Sequence, residues 1–142
     1  MKDSILEQIR RNLVAIISLT VALSGLGYNT WRNERSEHNS NIRTAGFEVM
    51  IEVGELQRVV FFSHYDRSTG DGSPRAGWAH ILTIHDLSQV IPDPVPEQAD
   101  RLKTVWEAHW EGLGESDASV DAINAAIDAY RLAVLDMLRS LR

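Results

Sequence analysis

The stretch that decides the reading is Leu13-Val-Ala-Ile-Ile-Ser-Leu-Thr-Val-Ala-Leu-Ser-Gly-Leu-Gly-Tyr-Asn-Thr-Trp31, which holds 19 residues and no charge. As a helix rising ~1.5 Å per residue it covers roughly 28 Å, the thickness of a bilayer's hydrocarbon core. Ser18, Thr20 and Ser24 can return their hydroxyls to the helix's own carbonyls, so they lower the apolarity without forbidding insertion. Arg10 and Arg11 flank one end, and Tyr28 and Trp31 occupy the aromatic-belt position at the other. The sequence predicts a transmembrane helix over residues 12–31, with Arg10, Arg11, Tyr28 and Trp31 as its interface residues. Two other readings stay open: a buried helix of a soluble domain, and a signal peptide. Ala22-Leu23-Ser24 before Gly25 fits a small-residue cleavage site, which would release a secreted helical protein. Against cleavage, the segment stays weakly apolar past Gly25 and the next stretch reads as unbroken helix.

Sidedness follows from where Lys and Arg are retained. Lys2, Arg10 and Arg11 on one flank face Arg32, Arg35 and Arg43 on the other, three against three. The short N-terminal segment and the arginine pair beside the span favour an inside N-terminus. The expected location is the bacterial inner (cytoplasmic) membrane, single-pass, with a periplasmic C-terminal domain. Ser18, Ala22 and Gly25 place small residues on one face, which permits close helix approach, although such residues are common in membrane helices.

Outward from the span, the chain of 142 residues has room for one further domain of modest core. From Arg32 onward, 18 acids and 11 bases leave that part near −7. An acidic domain without a basic, aromatic-interleaved stripe excludes nucleic acid as a natural partner. There is no cysteine, so disulfides, thiolate nucleophiles and thiolate metal sites are excluded together.

Residues 1–11 form a short amphipathic lead-in, with Ile5, Leu6 and Ile9 at helical spacing. Residues 32–41 are polar on every face yet free of Pro and Gly, and read as a helical stalk. From Ile42 the pattern turns amphipathic: Ile42, Ala45, Val49, Val53, Leu56 and Val60 form one stripe, widened by Phe47, Met50, Ile51, Phe61 and Phe62. Gly46 and Gly54 mark expected close helix crossings. This helix should end near Asp66, ahead of Ser-Thr-Gly-Asp-Gly-Ser-Pro74, a run of turn formers.

A second helix should start at Pro74 with Ser73 as N-cap and bury Trp78, Ile81, Leu82, Leu87, Val90 and Ile91. Pro92-Asp-Pro-Val-Pro96 reads as a stiff extended bridge. A third helix is expected from Glu97 to Gly112 through Leu102, Val105, Trp106 and Trp110. A fourth follows Ser116-Asp-Ala-Ser119, with Val120, Ile123, Ile127, Tyr130, Val134, Met137, Leu138 and Leu141 on one stripe. Ala122, Ala125, Ala126, Ala129 and Ala133 thin a neighbouring face. The expected fold class is all-α: a transmembrane helix continuing into an antiparallel four-helix bundle over residues 42–142.

Chemistry is sparse. His64 with Asp66, His80, His85 with Asp86, and Glu107 with His109 miss the three- or four-residue spacing of a helical ligand pair, so no catalytic, cofactor or metal residue is assigned. No phosphate loop, Gly-x-Ser-x-Gly elbow or His-Glu-x-x-His is present. The aromatics Phe61, Phe62, Tyr65, Trp78, Trp106 and Trp110 are the candidate partner or ligand surface, although core packing accounts for the same spacing.

Gly27-Tyr-Asn-Thr-Trp-Arg-Asn-Glu34, Arg43-Thr-Ala-Gly-Phe-Glu48, Gly54-Glu-Leu-Gln57 and Val60-Phe-Phe-Ser-His-Tyr-Asp66 resemble small single-pass inner-membrane proteins of proteobacteria with no assigned function. The resemblance covers residues 12–66, implies the same location and carries no active site. More loosely, the layout is similar to chemoreceptor sensory domains. It departs from them in lacking a second span and a signalling coiled coil after Trp31.

These features favour a non-enzymatic, membrane-anchored helical adaptor or accessory subunit, needing no cofactor and partnered by the bilayer and by another membrane protein or a second copy. A ligand-binding or sensory helical module is the alternative.

Overall fold

The structure is a computed structural model and describes residues 10–65 and 73–141. The lead-in expected over residues 1–9 and the turn-former run at residues 66–72, with the expected helix end at Asp66, lie outside the described residues. All regular elements described are helical, so the fold is all-α. The four α-helices among the described residues are α1 (Leu13–Tyr65), α2 (Gly77–Ser88), α3 (Val95–His109) and α4 (Asp117–Ser140).

Helix α1 runs for 53 residues because nothing in it stops a helix: no proline occurs, and its hydroxyls bond back into the ladder. Thr20 Oγ1 donates to the Ile16 carbonyl at 2.9 Å, Thr44 to Ser40 at 3.0 Å and Ser63 to Val59 at 2.7 Å. The chain divides into two compact units, Met1–His38 and Asn39–Arg142, inside the segment expected to be stalk. In the first unit every described side chain is exposed.

The second unit holds one hydrophobic core. From α1 it takes Ile42, Ala45, Val49, Val53, Leu56, Val59 and Val60, the stripe expected from the sequence. Phe47, Ile51 and Phe61, expected to widen that stripe, are exposed instead. Gly46 is a close crossing as expected, since a Cβ there would lie 2.7 Å from Leu138 Cδ2 on α4. Gly54 is not, because a Cβ there would meet nothing within 4 Å.

Ser73 is extended and Pro74 opens a single 3₁₀ turn, Pro74–Ala76, although the Ser73 side chain makes no capping bond. Helix α2 then buries Gly77, Ile81, Ile84 and Ser88. Glycine is required at position 77 because the Trp106 indole packs where a Cβ would stand. Leu82 and Val90, expected inside, are exposed. The reason is phase: Ile81, Ile84 and Ser88 step by three and four, and Leu82 lies one residue off that line.

The proline segment is shorter than expected. Helix α3 begins at Val95, which is fully buried, and Pro96 sits in its first turn, where a missing N–H costs nothing. Val95, Ala99, Leu102 and Trp106 step by four, three and four into the core, and the 3₁₀ turn Trp110–Gly112 delivers Leu113 behind them. Helix α4 starts three residues before Val120: Ser116 is the N-cap, accepting from the Ser119 N–H at 3.2 Å, and Asp117 sits favourably in the positive first turn. Val120, Ile123, Ile127, Tyr130, Val134 and Met137 line its buried face. Of the alanines, Ala126 and Ala133 pack against the core, whereas Ala125 and Ala129 are exposed.

Candidate functional site

The residues expected to carry function fall into separate groups. Arg10 and Arg11 are helical and exposed. The Tyr28 and Trp31 rings are 6.1 Å apart, as expected for residues three apart on a helix, and the Arg35 guanidinium lies 5.8 Å from the Trp31 ring centre.

The six aromatics of the candidate surface divide in three. Phe61 stands 5.7 Å from Phe62 and 5.1 Å from Tyr65, forming a short cluster at the end of α1. Trp78 and Trp110 meet edge to face at 6.2 Å, joining α2 to the 3₁₀ turn after α3. Trp106 belongs to neither, because it is fully buried in the core and takes no part in a surface. Its Nε1 is also buried and finds no acceptor among the described residues.

Four of the five histidines occupy the seams between helices. His80 Nδ1 on α2 lies 2.7 Å from Glu52 on α1. His85 on α2 sets Nε2 3.1 Å from Asp100 on α3 and Nδ1 3.3 Å from Asp86. His64 on α1 donates from Nδ1 to the Leu113 carbonyl at 3.2 Å and faces Asp117 of α4 with Nε2 at 3.0 Å. His109 Nδ1 lies 3.4 Å from Ser119 Oγ, across the junction of α3 and α4.

Apart from Asp86, which adjoins His85, these partners are 10 to 53 positions away in sequence. No local spacing could have revealed them. Each of these four histidines is used in joining two elements, and Asp117 is 90% exposed at its side chain, so its contact with His64 contributes at most about 1 kcal/mol. Among the described residues no group of three or more His, Cys, Asp or Glu is placed to hold a metal ion.

The strongest internal polar contact is structural. Tyr130 Oη and Ser88 Oγ are 2.6 Å apart, and Ser88 Oγ donates to the Ile84 carbonyl at 2.6 Å, so the phenol is the donor to Ser88. Burial pushes the Tyr130 hydroxyl up to about 12, with the Ser88 hydrogen bond acting the other way. A neutral phenol held this firmly ties α4 to α2 and offers no nucleophile.

Two hollows lie on the second unit. One of about 410 Å³ is lined by His64, Tyr65, Asp117, Val120 and Asp121. Another of about 330 Å³ runs between Pro92-Asp93-Pro94 and the last turns of α4 at Ala133, Asp136, Met137 and Ser140. Neither gathers Trp78 and Trp110 with the α1 aromatics. Compared with protein-family models, curated proteins and solved structures, the chain matches none.

Proposed function

We propose that the protein is a non-enzymatic, single-pass membrane-anchored helical adaptor or accessory subunit of a membrane complex. The observation that carries the reading is the exposure of residues 13–31. Val14 is 77% exposed, and Ile17, Leu19, Val21, Leu23 and Leu26 are all more than half exposed. By length and composition α1 is the one helix among the described residues able to cross a membrane. An apolar surface on every side of a helix is costly in water and stable in lipid.

In this reading residues 12–31 lie in the bacterial inner membrane with Arg10 and Arg11 on the cytoplasmic side. Helices α1 to α4 of the second unit form an antiparallel four-helix bundle in the periplasm. Two features favour an adaptor over a ligand pocket: the one fully buried tryptophan, Trp106, is spent on the core, and four of the five histidines are spent on helix seams. The test is alkaline carbonate extraction of membranes, followed by protease protection in spheroplasts. Retention in the membrane and cleavage from the periplasmic side support the reading, and release into the supernatant sinks it. An intact mass lacking residues 1–24 would support a secreted helical protein instead. Mild detergent extraction then identifies the stoichiometric partner.

A further inference from the structure

Most bases of the second unit are neutralised within their own helices. Arg58, Arg101, Lys103, Arg131 and Arg139 each meet an acid three or four residues away, at 2.6 to 4.0 Å. Arg32 and Arg35, just past the apolar stretch, are arranged differently. Glu34 and Glu37 lie one, two or five residues from them, and no acid forms an ion pair with either arginine among the described residues. Both arginines are exposed, and Arg35 sits 5.8 Å from the Trp31 ring centre instead of beside a carboxylate.

Tyr28, Trp31, Arg32 and Arg35 follow one another by steps of three, one and three, so they share one helix face within roughly 100° of arc. Glu34 and Glu37 lie roughly 100° or more round the helix from both arginines. Two belt aromatics and two unpaired guanidiniums therefore stand together, with the carboxylates turned aside. Tyr28 is 61% exposed and Trp31 56%.

We infer that this face binds the headgroup of an anionic phospholipid, whose phosphate is held by Arg32 and Arg35. The inference rests on the membrane-anchored reading and names the lipid class. Depth selects a lipid as the ligand. With Trp31 at the edge of the hydrocarbon, Arg32 and Arg35 rise about 1.5 and 6 Å beyond it, inside a headgroup layer of roughly 5 to 8 Å.

Charge selects among lipids. A guanidinium presents a planar fork of donors to phosphate oxygens. A zwitterionic headgroup brings its own ammonium, which competes for the phosphate, whereas an anionic headgroup leaves the phosphate to the arginines. Residues 39–142 carry 16 acids against 9 bases, so attraction to an anionic leaflet is local to this face and is no property of the whole surface.

The test uses the full-length protein in phosphatidylcholine vesicles, with spin-labelled phosphatidylglycerol or phosphatidylcholine as the probe. The native chain should select labelled phosphatidylglycerol, and the preference should shrink as salt rises. Arg32→Gln and Arg35→Gln should each lower the preference by up to about fivefold, and the double variant should abolish it. Arg101→Gln, whose charge is already met by Glu97, should leave it unchanged. Thermal unfolding should be the same in all these chains, because the three positions are exposed and outside the core.

Equal association of the two probes with the native chain, full preference in the double variant, or an equal loss in Arg101→Gln overturns the inference. Displacement of the bound probe by inorganic phosphate at matched ionic strength does so too, since it assigns the face to soluble anions. Flotation of the vesicles after a carbonate wash separates the two failures. A chain that floats without lipid preference sinks the headgroup site alone, whereas a chain that stays behind sinks the membrane reading and the lipid site with it.

Discussion

Between residues 13 and 31, α1 carries apolar side chains all round and buries none of them, whereas from Ile42 to Ser63 it buries a continuous stripe in the core of the second unit. Both stretches lack proline, and both use Ser and Thr hydroxyls bonded back to the preceding turn. What differs is the angular distribution of the apolar residues. A helix covered on all sides by a uniform medium needs no preferred face, and one covered by neighbours on one side needs a stripe of fixed phase. The distinction can be broken by substitutions whose cost depends on which cover is present.

The largest effect belongs to the core. Trp106→Ala should destabilise the second unit by about 3–5 kcal/mol in chemical denaturation, while leaving membrane retention of the chain unchanged. A smaller effect of opposite kind is expected from Leu19→Arg. If residues 12–31 span the membrane as proposed, a charge at the centre of that span costs about 3 kcal/mol, roughly 100-fold in insertion. The retained fraction should fall while the thermal transition of the second unit stays in place. If both variants instead shifted the same transition, the two stretches would share one cover and the comparison would fail.

Next comes the alkaline limb. The Tyr130 hydroxyl is raised in the folded state from 10.0 to about 12. A raised acid group contributes its stability fully below the unfolded value and loses it as pH climbs through the folded one. Between pH 10 and 12 the protein should lose about 2–3 kcal/mol from this group. Tyr130→Phe should cost about 1 kcal/mol at neutral pH through the lost hydrogen bond and should then decline less steeply across that window, as read by denaturant titrations at each pH.

The mildest test uses paired glycines. Gly46→Leu drives a side chain toward Leu138 and Met137 and should cost about 1–3 kcal/mol. Gly25→Leu, with nothing within 4 Å of its Cβ position, should leave both the melting temperature and membrane retention unchanged.

Much of this architecture was legible from periodicity. Val49, Val53, Leu56 and Val60, and Val120, Ile123, Ile127, Tyr130 and Val134, announce their buried faces because each step of three or four is a local property of the chain. Local signals failed where the deciding partner lies elsewhere. Val95 and Pro96 look like part of a rigid bridge, yet a core position for Val95 and a tolerant first turn for Pro96 bring both into α3. Leu82 looks as apolar as Ile81, and only the position of the neighbouring helices leaves it outside. The candidate aromatics were chosen by type. Whether a Trp fills a core or a surface depends on what faces it, which for Trp106 is Gly77, far away in sequence. The seams joined by His80 to Glu52 and His64 to Asp117 were illegible for the same reason.

The Trp106 indole gives the molecule a built-in optical probe. Trp31 is exposed, Trp78 and Trp110 are half-buried, and Trp106 alone is shielded, with its N–H free of any acceptor among the described residues. Its emission should be the bluest of the four and the last to be reached by an aqueous quencher. A change in that component reports the interior of the second unit, and its constancy while the Trp31 component shifts would mark an event confined to the first.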